Sequence, residues 1–123
     1  MKKIFRVLGI AALFLGCTKS AVDNQNPVIT LSSPTNNQVF TAGQIVTVTA
    51  LITDNDDVNQ VHLYVNNKAN NAEILHFEDH TDTKAYNLSK NFTAQTGITY
   101  KIEVDADDHS GNQAKVAIEV SGS

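Results

Sequence analysis

Residues 44–53, Gln-Ile-Val-Thr-Val-Thr-Ala-Leu-Ile-Thr, decide the fold of this chain. Small and aliphatic side chains recur at every second position, so that one face of the segment carries Val46, Val48, Ala50 and Ile52. A period of two is the period of a β-strand, whereas a helix would repeat every 3.6 residues. Because valine, isoleucine and threonine are β-branched residues that favour strands, the composition agrees with the spacing. The segment is therefore predicted to be a half-buried strand of an antiparallel sheet.

A similar alternation returns along most of the chain after residue 27. We predict further strands at residues 28–32, 39–40, 60–66, 73–78, 85–93, 98–106 and 114–120. Asparagine pairs and glycine-containing stretches, which favour turns, separate these segments at intervals of about 8–12 residues. About seven short strands at this spacing indicate one all-β domain, an antiparallel β-sandwich, over residues 27–121.

The N-terminus has the features of a secretory signal. Three basic residues among the first six precede an apolar run of about a dozen residues, which is too short to span a bilayer. Cys17, the only cysteine, closes this run. The arrangement resembles the lipobox of bacterial lipoproteins, which implies a signal peptide over residues 1–16 and lipidation of Cys17. Residues 17–26 then form the lipidated cysteine and a flexible tether. A secretory signal with a chance cysteine and a short anchor helix are the alternatives.

Charge and cysteine content argue against some classes of function. Removal of residues 1–16 would take three of the nine basic residues and none of the 13 acidic ones, which leaves a net charge of about −7. A nucleic-acid-binding domain needs a basic surface, and this composition does not favour one. Electrostatic adsorption to anionic lipid is disfavoured for the same reason, so the predicted lipid on Cys17 would supply the membrane attachment. With a single cysteine there is no internal disulfide bond, and the fold must depend on its core.

Several short motifs resemble the strands and turns of bacterial Ig-like modules. They are residues 27–34, 41–43, 46–50, 61–65, 100–104 and 108–112. Gly97, three residues before Tyr100, is similar to the tyrosine corner of such sandwiches. Together with the lipobox, the chain resembles small Ig-like lipoproteins of Bacteroidetes. The resemblance implies an Ig-like β-sandwich at the bacterial outer membrane that acts as a non-catalytic binding or interaction module.

Three acidic loops are predicted to meet at one end of such a sandwich. These loops, residues 54–58, 78–83 and 105–112, hold nine of the 13 acidic residues. Clustered carboxylates repel one another unless a cation is bound, and Ca²⁺ accepts six to eight oxygen ligands in loose geometry. The candidate Ca²⁺ ligands are Asp54, Asp56, Asp57, Asp107 and Asp108. The same residues would serve as turn formers without metal, and both interpretations stay open.

Two of these loops resemble the calcium loops of cadherin-like domains. Residues 54–56, Asp-Asn-Asp, are similar to the Asp-x-Asp ligand motif, and residues 106–108, Ala-Asp-Asp, are similar to the Ala-x-Asp motif. Asp23, ahead of Asn26 and Pro27, resembles a linker ligand of that family. The resemblance implies Ca²⁺ between the tether and the domain. Val58, however, stands where the family has glycine.

The histidines give a second metal hypothesis. His76, His80 and His109, together with a carboxylate, offer the ligand types of a tetrahedral Zn²⁺ site. On a straight strand His76 and His80 would lie about 13 Å apart, so this site requires the chain to fold back between them. Ordinary surface histidines are the alternative, and His62 is predicted to face solvent.

The sequence carries no recognisable catalytic motif. It contains no nucleophile elbow, metallohydrolase motif or phosphate-binding loop, and we predict that the protein is not an enzyme. Tyr64 and Tyr86 are candidates for a protein- or glycan-binding face, although the lack of tryptophan gives a glycan little support. The function predicted from the sequence is a lipid-anchored, non-catalytic module with Ca²⁺ at its acidic end. The alternatives are a metal-free structural accessory lipoprotein of a surface complex and a Zn²⁺-binding protein.

Overall fold

The structure, a computed structural model, describes residues 22–123. The predicted signal peptide, Cys17 and the first part of the predicted tether lie outside the described residues. Six β-strands make up most of the described part, in which no helix has the length and hydrophobicity to span a bilayer. The strands are β1 (Val28–Ser33), β2 (Gln38–Phe40), β3 (Ile45–Asn67), β4 (Glu73–Thr93), β5 (Thr99–Asp107) and β6 (Gln113–Gly122).

Strands β3 and β4 form a long antiparallel hairpin around which the domain is built. The first half of β3 pairs with β1 and with the end of β4, while its second half pairs with the start of β4 and with β5. Strand β6 continues the sheet beyond β5, and the short strand β2 pairs with β6 in parallel. Because both halves of β3 contribute buried side chains to one core, the sheet curls into the two layers of a β-sandwich.

The all-β prediction is confirmed, but two of the predicted loops are parts of strands. The sequence predicts loops at residues 54–58 and 78–83, whereas β3 and β4 continue through them, so that there are six strands instead of about seven. The two strands cross from one layer to the other as a paired ribbon. Its register shifts between Thr53 and Val58 and again between Val58 and Gln60, which marks the β-bulges that bend it. Pairing with a distant strand thus overrides the local preference for a turn.

The inward faces of the strands form the core. On β3 the buried aliphatic side chains occupy even positions from Val46 to Ile52 and odd positions from Val61 to Val65. The change of parity coincides with the two register shifts on either side of Val58, where the regular alternation of the strand is interrupted. The resulting apolar cluster consists of Phe40, Val46, Val48, Ala50, Ile52, Val58, Val61, Leu63, Val65, Leu88, Phe92, Ala94, Tyr100, Ile102, Val104, Ala106 and Val120.

The contacts of Tyr100 confirm the predicted tyrosine corner. Its ring is buried and packs against Phe92 with the ring centroids 4.8 Å apart. Its hydroxyl accepts a hydrogen bond from the backbone N–H of Gln95 at 2.9 Å. Gly97 permits the turn between them, because its φ of 77° lies in a region that other residues rarely adopt. Since the N–H of Gly97 also bonds the carbonyl of Gly122, the corner closes the end of the sandwich that carries the C-terminus.

Candidate metal centre at the acidic end

Two buried aspartates extend the inward faces of β3 and β5 at the end of the sandwich that lies opposite the C-terminus. Asp54 takes the inward position that follows Ile52, and Asp108 takes the one that follows Ala106. Asp54 is 8% exposed and Asp108 is 3% exposed. Since a charged side chain is almost never fully buried without partners, these carboxylates require hydrogen-bond donors or a cation.

Asp23, which precedes β1, joins these two residues. One carboxylate oxygen from each of Asp23, Asp54 and Asp108 lies within 4.8 Å of the other two, and we call this group the acidic cluster. The side-chain amide of Asn55 donates to Oδ1 of Asp23 at 3.1 Å, and that of Asn112 donates to its backbone carbonyl at 2.9 Å. These two bonds hold Asp23 against the domain. The sequence instead predicted that it lies in a flexible tether.

Asp108 fastens the loop between β5 and β6. Its Oδ1 accepts hydrogen bonds from the backbone N–H groups of Ser110 and Asn112, both at 2.9 Å, and its Oδ2 accepts one from the Asn112 side chain at 2.8 Å. Burial opposes ionisation, but the bonds from Asn112 and Ser110 outweigh it and lower the pKa of Asp108 below its usual value. Asp108 is therefore an anion at neutral pH.

Asp54 has one satisfied and one unsatisfied oxygen. Its Oδ2 accepts hydrogen bonds from the backbone N–H groups of Asp56 at 3.0 Å and Asp57 at 3.1 Å. Its Oδ1 is buried without a hydrogen-bond partner among the described residues, and so is Oδ2 of Asp23. Unpartnered oxygens of this kind cost the desolvation energy of the group. The acidic cluster thus combines two carboxylates that each have an unpartnered oxygen with a third carboxylate, an arrangement that a bound cation would stabilise.

The other predicted Ca²⁺ ligands lie outside the acidic cluster. Asp56 is exposed. Asp57 contacts Nδ1 of His109 at 2.5 Å, and Nε2 of the same ring lies 3.5 Å from Asp82. Asp107 lines a cavity on the outer face of the sheet, because successive residues of β5 face opposite sides. Of the five predicted Ca²⁺ ligands, the acidic cluster therefore contains only Asp54 and Asp108, which continue the inward faces of their strands.

The histidines of the predicted Zn²⁺ site are not brought together. His76 stacks on Tyr64 with the ring centroids 4.8 Å apart. Nε2 of His80 lies 3.2 Å from a carboxylate oxygen of Glu78, while His109 is at the acidic end. The strand continues through His80 instead of folding back, so the chain reversal that this ligand set requires does not occur.

The outer face of the sheet brings together titratable side chains that the sequence did not group, although Tyr64 among them was predicted to belong to a binding face. His62, Tyr64, Asp105 and Lys115 line a shallow cavity of about 290 Å³. His62 is half-buried and stacks on Tyr64 with the ring centroids 5.7 Å apart, so it faces solvent only in part. Alternation along each strand indicates that these residues face outward. Their neighbours on other strands depend on the register, in which His62 lies opposite Asp105 and Asp105 opposite Lys115.

Asp105→Asn is expected to stabilise the protein at neutral pH. Burial, assisted by a hydrogen bond and the charge of Glu103, raises the pKa of Asp105 to about 6, whereas Lys115 and His62 act in the opposite direction. Because the folded-state pKa exceeds the unfolded value, the folded protein binds this proton more tightly. The free energy of unfolding therefore falls as pH rises from about 4 to about 6. In urea unfolding, the variant should be more stable than the wild type at pH 8 and differ little near pH 4. A variant less stable than the wild type at pH 8 would contradict this.

Comparison with known proteins agrees with the fold. The model of a family described as bacterial Ig domain matches residues 27–104. The fibronectin(III)-like modules of Clostridium thermocellum CbhA are similar in structure, with 21% identity and a TM-score of 0.52 over 77% of this chain and 94% of that chain. The CARDB domain of a Pyrococcus furiosus protein, solved in complex with di-metal ions, is 14% identical with a TM-score of 0.52, over 87% of this chain and 100% of that chain. No curated protein matches the chain. At these identities the two structures support the fold alone.

Proposed function

Because the chain belongs to the bacterial Ig domain family, we propose that it is a non-catalytic interaction module that binds Ca²⁺ at its acidic end. One observation carries the Ca²⁺ site: Asp23 and Asp54 each have a buried oxygen without a hydrogen-bond partner in the described part of the chain, and both residues belong to one cluster with Asp108. The donors are carboxylate oxygens, which are the ligands of hard cations. At the level of the fold, the CARDB domain solved with di-metal ions also supports a metal site on such a domain.

The size of the acidic cluster favours Ca²⁺ over Mg²⁺. With Ca²⁺–O distances of about 2.3–2.6 Å, two ligand atoms of one ion lie at most about 5 Å apart. The three oxygens of the cluster, all within 4.8 Å of one another, already satisfy this limit. Mg²⁺–O distances of about 2.0–2.1 Å reduce the limit to about 4.2 Å and demand octahedral geometry. Ca²⁺ therefore fits the cluster at any separation up to 4.8 Å, whereas Mg²⁺ requires separations below about 4.2 Å and octahedral geometry.

A cation in the acidic cluster would join the N-terminal segment to the domain. Asp23 lies ahead of β1, whereas Asp54 belongs to β3 and Asp108 follows β5. We infer that the protein is anchored by a lipid on Cys17 to the bacterial outer membrane, with the acidic end toward the anchor. The sheet faces are then left for a protein or glycan partner. Labelling of bacterial cells with radioactive palmitate, compared between the wild type and Cys17→Ser, tests the anchor.

The hydrogen bonds of the same aspartates favour a second candidate function. Asp54 and Asp108 each accept two backbone N–H groups and so hold the irregular part of β3 and the loop after β5 without metal. In this alternative the protein is a metal-free structural accessory lipoprotein of a surface complex. The two candidates differ in whether the folded state gains stability from Ca²⁺.

Ca²⁺ is expected to raise the melting temperature of the full chain by roughly 10 °C at a concentration near 100 times its dissociation constant. The reason is that a ligand that binds only the folded state adds its binding free energy to that of unfolding. Differential scanning calorimetry with and without millimolar Ca²⁺ measures the shift. In Asp54→Asn most of the shift should disappear, since this change removes a ligand charge. Asp56→Asn is the matched control, because it removes an exposed charge two residues away and should keep the shift.

Two results would contradict the Ca²⁺ proposal. If millimolar Ca²⁺ leaves the melting temperature of the wild type unchanged, the metal-free function is supported. If Asp54→Asn responds to Ca²⁺ as strongly as the wild type does, the ion binds elsewhere. A parallel titration with Mg²⁺ at the same concentration should give the smaller shift.

A further inference from the structure

We propose that the outer face of the sheet binds a transition-metal ion such as Zn²⁺ through His62, His76 and Glu78. We call these three residues the histidine site. It shares no residue with the acidic cluster and differs from it in chemistry, since two of its three donors are imidazoles. The proposal does not depend on whether the acidic end binds Ca²⁺.

The pairing of β3 with β4 creates the histidine site. His76 lies opposite Tyr64 on β3, and Glu78 lies opposite His62. These positions face away from the core, because the alternate residues of β3, such as Leu63, are fully buried. One ligand atom from each of His62, His76 and Glu78 lies within 4.8 Å of the other two. His62 thus forms one compact group of metal-ligating side chains with two residues that lie 14 and 16 positions further along the sequence.

Neighbouring side chains already orient these ligands. The rings of His62, Tyr64 and His76 are nearly parallel, with interplanar angles of 4° to 18° and centroids 4.8–6.1 Å apart. Gln60 donates a hydrogen bond to Oε2 of Glu78 at 2.6 Å, while Oε1 of the same carboxylate lies 3.9 Å from Nδ1 of His62. Such supporting contacts reduce the freedom that the ligands lose on binding and are typical of metal sites.

The donor set selects the class of ion. Two imidazole nitrogens and one carboxylate oxygen suit Zn²⁺ and related transition metals, whereas Ca²⁺ takes oxygen ligands. Tetrahedral Zn²⁺ with bonds of about 2.0–2.1 Å places its ligand atoms about 3.4 Å apart, so the separations in the site must shorten by at most about 1.4 Å. His76 and Glu78 are exposed and free to rotate by this amount. The three protein ligands leave the fourth position of a tetrahedral Zn²⁺ ion to a water molecule.

Isothermal titration calorimetry of the full chain with zinc chloride tests the proposal. Excess Ca²⁺ is present throughout, so that the acidic cluster does not compete for Zn²⁺. One Zn²⁺ ion is expected to bind per chain, and His76→Ala should weaken the affinity by more than about tenfold, since it removes a direct ligand. His109→Ala is the comparison variant, because His109 lies outside the site in a separate group with Asp57 and Asp82, and a loss of affinity in this variant alone would place the Zn²⁺ ion at that group instead. Its affinity for Zn²⁺ should equal that of the wild type.

Substitution of Co²⁺ for Zn²⁺ gives an independent readout of the same site. Visible absorption typical of tetrahedral Co²⁺ should appear with the wild type and with His109→Ala and be lost with His76→Ala. Circular dichroism melts without metal check that His76→Ala is folded, and Glu78→Gln, which keeps the shape of its side chain, serves as a second ligand variant. Absence of one-to-one Zn²⁺ binding, or equal loss of affinity in His76→Ala and His109→Ala, would overturn the proposal.

Discussion

Gly122→Ala is expected to lower the free energy of unfolding by about 3 kcal/mol, because a methyl group does not fit at this position. A Cβ atom on Gly122 would lie 2.0 Å from the carbonyl oxygen of Gln95 and 2.8 Å from its carbonyl carbon. Both are backbone atoms, so no side-chain rotation relieves the overlap. Relief by backbone movement would break the hydrogen bonds that join Gly122 to Gly97 and Ile98 and Ser123 to Phe40. Chemical denaturation of the purified variant measures the loss.

Gly43→Ala is the matched control for this prediction. Gly43 has a φ of 89°, but a Cβ atom there would meet no atom of residues 22–123 within 4 Å. The control therefore isolates backbone strain, which should cost about 1–2 kcal/mol. If Gly122→Ala is no more destabilising than Gly43→Ala, the close approach of β6 to residue 95 does not limit side-chain size, and the argument from packing fails.

The period of two in the sequence predicts nearly every paired segment of this fold, but not how the segments join. Residues 54–58 contain three aspartates and one asparagine, a composition that locally favours a turn. They stay in β3 because the strand pairs with β4 on both sides of them, with Thr53 opposite Ala85 and Val58 opposite Thr83. Such pairing joins residues at least 25 positions apart and leaves no local sequence signal. The same reason explains why the predicted loop at residues 78–83 is part of a strand.

Two of the three residues of the acidic cluster could be predicted, because inward and outward side chains alternate along each strand. Asp54 and Asp108 continue the inward positions marked by Ile52 and Ala106, so the alternation alone directs them to the end of the core. The same alternation directs Asp107 outward, and strict use of it would have removed this residue from the predicted ligands. Asp23 lies in a segment without periodicity. The sequence therefore indicated it only through the resemblance to cadherin-like linkers.

The histidine site could not be predicted, because it depends on the register of two strands. The sequence places His76 and Glu78 two residues apart and His62 well upstream, with no spacing typical of a metal motif. Which residue of β4 lies opposite His62 is decided by the bulge near Val58 and by the turn after β3. A shift of one residue would put Phe77 opposite His62 and turn the imidazole of His76 inward.

Asp108→Ala is expected to lower the free energy of unfolding by about 2 to 3 kcal/mol in the absence of metal. The change leaves the backbone N–H groups of Ser110 and Asn112 and the side-chain amide of Asn112 without their acceptor. Because hydrogen bonds to a carboxylate are stronger than those to neutral groups, their loss costs more than that of an ordinary surface contact. Urea unfolding in a metal-free buffer at pH 7 measures the difference between the variant and the wild type.

The pH dependence of this difference identifies its cause. The folded-state pKa of Asp108 lies below the unfolded value, so the stability from its ionised form is present above about pH 4 and is lost as pH falls through the folded-state pKa. The gap between the wild type and Asp108→Ala should therefore stay constant from pH 7 to about pH 5 and narrow in stronger acid. Asp56→Ala, which removes an exposed carboxylate at the same end, should change stability by less than about 0.5 kcal/mol. A gap of the same size for both variants, or one that does not narrow in acid, would show that net charge and not the fastened loop is responsible.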